Sequence, residues 1–479
     1  MVIKDIDSKL IIAKFAMQGY NVHPSAVEIL KQVSPASLDR VIDEVCKCAN
    51  GSFIITCEDI LPILERIKIT KKERKEEKIE KKVRSEFSVR DITGNSQSEG
   101  TVEDFIGYFN YRFDKLSQIL RNRINPLPIN AIGKGKFERV EIVGMVVDVR
   151  ETSSGNAMIE LEDKTGFANV IATGKLKDVA MELLGDEVIG VSGVVRGRNM
   201  IADRIIFPDL PANGKRREWG FSIVFISDTH FGSKTFIEDA WNRFISWINC
   251  EIGNERAISL AESVKYLVVA GDIVDGIGVY PEQEKELSIK DIYQQYEEAA
   301  SQFDRIPKEI KVIISPGNHD AVRQAEPQPS LLSEYADLFP KNVRMVGNPA
   351  YVELSGVKVL IYHGRSLDDV ITRIPRMSYQ QPSKAMEELL KRRLLVPSYG
   401  GRAPIAPERE DFLVIDEIPD VMHSGHVQTH EASFYRGVLL VNSSTWQEQT
   451  TFQRKMNLDP IPGIVTVYNG ATVNKIKFC

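Results

Sequence analysis

No apolar run in this sequence approaches the ~18–20 residues that a membrane-spanning helix needs, and Met1–Ser8 carries charge where a signal peptide would be apolar. Neither insertion nor secretion is implied, and a cytoplasmic chain is expected. Cysteine is scarce: Cys46, Cys48, Cys57, Cys250 and Cys479 are odd in number and scattered, which does not suit a disulfide framework and does suit a reducing compartment. Cys46-Lys47-Cys48 with Cys57 has some zinc-site spacing. No fourth ligand lies near, however, and Cys46 continues the apolar stripe Leu38, Val41, Ile42, Val45, so it is read as core. Charge of one sign is lacking too. With a formal net charge of −6, contact with nucleic acid must use a local basic patch and not a global field.

Histidine is equally scarce but not scattered. Six of the seven lie after Ser227, and most stand beside Asp, Asn or Gly in clusters that each follow an apolar run. Asp228-Thr229-His230 follows Ile223–Ile226; Gly271-Asp272-Ile273-Val274-Asp275 follows Tyr266–Val269; Gly317-Asn318-His319-Asp320 follows Val312–Ile314. His363-Gly364 follows Val357–Tyr362, and Gly425-His426 closes a segment that begins Phe412-Leu413-Val414-Ile415. A buried parallel strand reads as a continuous apolar run and delivers its next residues to the carboxyl edge of the sheet, where ligands bind. Imidazole nitrogens mixed with carboxylate and amide oxygens suit first-row metals better than calcium. Two ions roughly 3.5–4 Å apart would clamp the attacking and leaving oxygens of a phosphoryl centre and share a carboxylate.

In this order the clusters resemble those of the calcineurin-like metallophosphoesterases, whose pattern is D-x-H, GD-x-x-D, GNH-D, H and GH-x-H over a double sheet. The resemblance covers roughly residues 220 to 470. It implies that Asp228 and His230 hold one metal, that Asn318, His363 and His426 hold the other, and that Asp272 bridges. It also implies that His319 holds neither ion and serves as proton donor or transition-state stabiliser, with Asp275 or Asp320 orienting it. The implied cofactor is a pair of divalent metal ions, manganese foremost, with magnesium, iron, zinc or nickel as alternatives. One position departs from the pattern: Gly425-His426-Val427-Gln428 has glutamine where the last histidine belongs. Gln428 offers at best an amide oxygen to the first metal, with His423 and His430 as nearby substitutes.

The length predicts two to four domains at about 100–200 residues each. Residues 1–70 read as a small helical module, with Ser34-Pro35 and Thr56/Asp59 as helix starts. Residues 71–100 turn from mixed charge to small polar residues and read as a flexible linker. Residues 101–215 hold an aromatic helix (Phe105, Tyr108, Phe109, Phe113, Leu116, Leu120) and then five short strands, Val140–Val149, Ala157–Leu161, Ala168–Ala172, Glu187–Val195 and Ile201–Phe207. Their spacing suggests a barrel of the OB type. With Phe167 and Phe207 read as core, the barrel looks like a packing and protein-contact domain; Lys134, Lys136, Arg139, Arg196, Arg198 and Arg204 are its candidates for phosphate contact. Residues 216–479 form the phosphoesterase domain. The expected fold is thus multidomain: a helical module, an OB-type barrel and an α/β calcineurin-like double sheet.

Helix, barrel and phosphoesterase in this order resemble the small subunits of archaeal family D DNA polymerases. Asp104–Arg123, Pro397–Glu408, Asp411–His426 and Val441–Gln447 carry that narrower likeness. It implies a metal-dependent 3′-to-5′ proofreading exonuclease, acting on a single-stranded or frayed DNA 3′ end and partnered by a large catalytic subunit. The alternative it leaves open is a non-catalytic scaffold subunit with an impaired metal site.

Overall fold

The computed structural model describes residues 8–31, 33, 35–49, 54–64, 87–132, 139–197, 199–212 and 218–479. The chain divides into two compact units, Met1–Glu86 and Phe87–Cys479. The first has helices Ser8–Met17, Pro24–Lys31 and Pro35–Cys48 and a pair of two-residue parallel strands, β1 (Asn21–Val22) and β2 (Ile54–Ile55). Its core is the expected stripe, with Leu38, Val41, Ile42, Val45 and Cys46 packed among Phe15, Val27 and Leu30. The Asp59 carboxylate accepts from the Thr56 main-chain N–H at 2.8 Å, closing the start of a helix as the spacing predicts. Ser34 and residues 71–86 lie outside the described residues.

In the second unit β4 (Arg139–Glu151), β5 (Ala157–Asp163), β6 (Gly166–Ala172), β7 (Val188–Arg196) and β8 (Asn199–Ile206) close into a barrel in the order β4-β5-β6-β8-β7. Alternate residues such as Ile142, Ile159, Leu161, Val170 and Val191 fill it. Phe167, expected in that core, is instead 66% exposed. It lies just past the turn into β6, where the pleat faces solvent. Of the candidate phosphate contacts, Arg139 pairs with Asp203 (3.0 Å) and Arg204 with Glu141 (3.3 Å); Lys134, Lys136 and Arg198 lie outside the described residues.

Two six-stranded sheets follow. The first runs β12 (Val343–Met345), β11 (Lys311–Ser315), β10 (Val264–Ala270), β9 (Ser222–Ile226), β18 (Ile464–Tyr468), β19 (Val473–Lys477). The second runs β16 (Glu431–Tyr435), β17 (Val438–Asn442), β15 (Val421–Ser424), β14 (Val357–Ile361), β13 (Ala350–Leu354), β3 (Phe87–Arg90). The period of two sorts the side chains. Ile223 and Phe225 of β9 meet Val359, Ile361, Leu439 and Val441 between the sheets, while Val224 and Ile226 face Trp241, Phe244 and Phe303 on helices Glu238–Ile248 and Ile292–Asp304. Leu360 and Leu440 face outward onto Met386, Leu389 and Leu390 of helix Pro382–Arg392. Because β9, β10 and β11 are parallel, as are β14, β15 and β17, each sheet sends its loops to a carboxyl edge. No helix among the described residues is long and apolar enough to cross a membrane.

Residues 87–100 differ from the linker expected there. Phe87–Arg90 pairs antiparallel with β13, and Asp91 accepts from the Gly347 N–H at 2.6 Å. The polar run beyond is held by one buried carboxylate: Glu408 accepts from Ser96 Oγ and from the N–H groups of Gln97 and Ser98. Low hydrophobicity misled because hydrogen bonds, not apolar burial, fix this segment.

The stretches that carry the narrower likeness meet one another. Arg112, on helix Val102–Arg121, is fully buried; its guanidinium donates to Asp411 at 2.7 Å, to the Pro397 and Val396 carbonyls and to Tyr108 Oη. Tyr399 packs edge-on against Phe105 at 5.1 Å. The aromatic helix is therefore a splint between barrel and sheets, fastened by a buried ion pair. Removing one partner of such a pair strands the other's charge and costs about 3–5 kcal/mol, whereas an apolar pair of like volume is often tolerated. Asp411→Ala is thus expected to lower the denaturation midpoint of the second unit sharply, and Arg112→Met with Asp411→Leu to recover most of it. Chemical denaturation followed by tryptophan fluorescence measures both.

Candidate metal centre

The loops after β9, β10, β11, β14 and β15 converge, and backbone conformation is the first sign of what they do. Among the described residues twelve non-glycine residues have positive φ, and five of them are Asp228 (50°), His230 (46°), Asp272 (52°), His426 (68°) and Gln428 (56°). A left-handed residue costs of order 1–3 kcal/mol and persists where the surroundings over-determine it, which is commonest at functional sites. Two glycines are required by close approach. A side-chain carbon on Gly317 would collide with the Asp272 carboxylate, and one on Gly425 with that of Asp228.

Asp272 is the centre of the cluster. Its Oδ1 accepts from the His319 main-chain N–H at 2.9 Å, while its Oδ2 lies 3.3 Å from His363 Nε2, 3.9 Å from His230 Nε2 and 4.0 Å from His319 Nε2. On one side Asp228 Oδ1 stands 3.7 Å from His230 Nε2. On the other, Asn318 Oδ1 lies 3.0 Å from both His363 Nε2 and His426 Nδ1. Two pockets therefore share the Asp272 carboxylate: one faced by Asp228 and His230, the other by Asn318, His363 and His426. The donor set fits divalent cations. Asp228 Oδ1 is buried with no hydrogen-bond partner, and a buried anionic oxygen without a donor needs a positive charge beside it.

The far side of each ring is held in place. His363 Nδ1 lies 2.8 Å from the Ala270 carbonyl; donating there leaves Nε2 as the lone pair turned to the cluster. His426 directs Nε2 at Asp368 (3.3 Å), leaving Nδ1 inward. Asp275 corrects the expectation from sequence. Its carboxylate stands 3.1 Å from His230 Nδ1 and 3.9 Å from His319 Nδ1, and accepts from Gln447 at 3.3 Å. It is the Asp275 main-chain carbonyl, 2.7 Å from His319 Nδ1, that orients His319. The Asp320 carboxylate makes no hydrogen bond to its neighbour His319: it accepts from the Gly317 N–H (2.8 Å) and Tyr296 Oη (3.1 Å) and so shapes the loop that carries Asn318. The donor atoms lie closest in two triads, His230, Asp272 and His319, and Asp228, Asp272 and His363, so His319 stands at the first pocket, where the resemblance implies no ligand role for it, and Asp228 stands between the two pockets.

Gln428 also differs from expectation. The Thr450 N–H donates to Gln453 Oε1 (2.9 Å), Gln453 Nε2 donates to Gln428 Oε1 (2.6 Å), and Gln428 Nε2 is thereby turned to His230 Nε2 at 2.9 Å. The amide oxygen expected as a ligand faces away, and an N–H donor faces the first pocket. Neither substitute reaches it. His423 is bonded to Ser443 between the sheets and burial pushes its ring down to about 3; His430 is bonded to Thr466, with burial pushing it down to about 4.

Burial opposes charge on every group here, and the carboxylates override it on two histidines. Asp228 and Asp275 draw His230 up towards about 10, although the Gln428 N–H on its Nε2 favours the neutral ring, and Asp272 draws His363 up to about 9. Against burial, those rings keep Asp272 well below the carboxylate range. His319 goes the other way, held low by burial and by His230 despite Asp272 and Asp275. Burial and the Asp272 charge push Asp320 up to about 6. One acid was missed from the sequence: Asp368 in helix Leu367–Arg373, held down at about 2 against burial by His426, Tyr379 and Arg402. An acid in a helix's first turn is common, and nothing local marked this one as a partner of His426.

A family model for the DNA polymerase alpha/epsilon B-subunit matches residues 223–433, a span that contains the whole cluster. The DNA polymerase II small subunit of Archaeoglobus fulgidus is 54% identical over 100% of this chain and 99% of its own length. This chain belongs to the DNA polymerase II small subunit family. The small subunit of Methanothermobacter thermautotrophicus is 42% identical over 98% of this chain and 99% of its own, and that of Pyrococcus furiosus 41% identical over 82% and 67%. The likeness to the first two of these relatives runs along essentially the full chain.

Two outcomes are expected of the cluster. A cation must displace a proton from each raised ring, so manganese affinity should climb with pH through about 9, the value of His363, towards about 10, that of His230. Calorimetric titration in buffers of different ionisation enthalpy reads that release; no release would mean that neither ring is a protonated ligand. Gln428→His should replace the inward amide N–H with a lone pair and raise manganese affinity about 10–100-fold. Equilibrium dialysis with metal analysis measures it.

Proposed function

We propose that this small subunit is a metal-dependent 3′-to-5′ exonuclease that proofreads for a separate large polymerase subunit. The observation that carries the reading is the Asp272 carboxylate shared between two donor pockets, with His319 Nε2 4.0 Å away on the same side. Two divalent cations held by Asp228, His230, Asp272, Asn318, His363 and His426 would supply charge neutralisation at the phosphoryl oxygens and a water of lowered pKa. The chain's own groups do the rest. Asp272, with His363 and His426 fixed from behind by Ala270 and Asp368, sets where the phosphate sits. With Nδ1–H given to the Asp275 carbonyl, His319 Nε2 carries a proton only as imidazolium, a form that the charge of a bound phosphate favours; from that form it protonates the departing 3′-oxygen as the phosphorus–oxygen bond to the strand breaks and the bond to the attacking water oxygen forms. The Asp275 carbonyl on Nδ1 keeps that ring edge-on to His230, their centroids 4.7 Å apart. The chemistry serves either polarity; the 3′ end is assigned because a polymerase's errors lie there.

With a net charge of −6 and barrel arginines paired to acids, much of the grip on DNA falls to the large subunit. A second reading, a scaffold subunit without turnover, is favoured by one observation: the amide N–H of Gln428 directed at His230. Purified chain assayed on 3′-labelled single strands with manganese and with magnesium separates the two. His319→Ala should lower hydrolysis by about 10²–10⁴ while bound metal stays at the parent level. Loss of an ion together with activity would make His319 a ligand and not the proton donor.

A further inference from the structure

Beside the cluster opens a cavity of about 430 Å³ whose lining includes Asp272, Asn318, His319 and His426. One wall of it is aromatic. Tyr280 and Phe452 lie stacked, ring centroids 5.2 Å apart and planes 27° from parallel, and the Tyr280 ring lies 6.4 Å from that of His319. Phe452 belongs to none of the apolar cores and leaves 40% of its surface in water. Its position is nevertheless fixed. It sits in the short helix Thr451–Lys455, started by the Thr450/Gln453 capping box, and the same Gln453 reaches Gln428 beneath the cluster. The helix ends in Arg454 and Lys455. Arg365 and Arg402 also line the cavity, the latter with 54% of its side chain exposed, 3.5 Å from Asp368 and bonded to Tyr379.

An exposed ring backed by a second ring, held rigidly beside a phosphoryl-directed cluster and faced by arginines, is complementary to one chemical object. That object is an unpaired nucleobase attached to phosphates. Stacking on an aromatic face is worth about 1–3 kcal/mol per base and is indifferent to base identity, because every base has a π-face. A base inside a duplex is already stacked and cannot use it. Resting on the nuclease reading above, we propose that Phe452, backed by Tyr280, is a stacking platform for the terminal unpaired base of the strand being cut, with Arg402 on its phosphate. Selection of a mismatched end then needs no reading of base edges: a terminus that melts more often reaches the platform more often.

The test uses the full chain and a single-stranded oligonucleotide with 2-aminopurine at its 3′ terminus behind a phosphorothioate linkage that resists hydrolysis. Stacking quenches this base. Binding should quench the fluorescence; Phe452→Ala should abolish the quench and weaken binding about tenfold, taking 1.4 kcal/mol as the stacking term. Phe452→Trp should keep both. On an oligonucleotide ending in an abasic residue, parent and Phe452→Ala should bind alike. No quench in the parent, a quench that survives Phe452→Ala, or an equal loss of affinity on the abasic strand each overturns the platform. Hydrolysis of the unmodified strand is followed in parallel. Quenching without hydrolysis sinks the nuclease reading and leaves the platform standing, and hydrolysis without quenching does the reverse.

Discussion

Everything at the candidate centre hangs on one buried carboxylate. Asp272 sits in a left-handed conformation at the end of β10, with one oxygen taken by the His319 N–H and the other facing three imidazole nitrogens. A carboxylate so buried is tolerable only if charge is brought to it. The loops from both sheets deliver that charge, and the fold can be read as the means of doing so. Parallel strands aim the loops at a common edge, glycines at positions 317 and 425 let them approach, and three layers of apolar core hold five strained residues in place.

The residue types and their order were legible in the sequence because four of the five clusters follow an apolar strand directly, and a strand's end is a local signal; His426 instead follows Val421–Ser424, and not the run Phe412–Ile415 read for it. The barrel was legible for the same reason: turns at regular spacing and period-two alternation do not depend on distant partners. Partners across the fold were not. Asp275 and Asp320 were recognisable as acids of the cluster, but which ring each faces depends on loops more than forty residues away, such as the 47-residue separation of Ile273 and Asp320. Asp368 carries no local mark of its role, and Phe167 looked like barrel core. The segment 87–100 looked unstructured because composition measures what a segment can bury, and not the hydrogen bonds that Glu408 offers it.

Gln428 shows how a helix start can reach into chemistry. The first N–H groups of a helix need acceptors, and at Thr450 the acceptor is Gln453 Oε1. That leaves only the Gln453 amide nitrogen to meet Gln428, whose own nitrogen must then face His230. An ordinary capping arrangement thus decides whether a lone pair or a proton is presented to the first donor pocket. The same short helix carries Phe452, so the electronic character of that pocket and the position of the aromatic wall are set together.

The strand Phe87–Arg90 occupies the outer edge of the second sheet and is the first described segment of its unit. An edge strand's unpaired N–H and C=O groups are a template for any extended chain, and proteins keep such edges covered. Here the cover is the unit's own leading segment, tied down further by Asp91 on Gly347 and by Arg90 on Asp416 at 2.7 Å. Shortening the chain to Thr101 would peel that cover away, leaving β13 as a raw border on which a second copy could add. The leading segment of this unit therefore covers β13 and moves the border of the sheet out to a strand of only four residues.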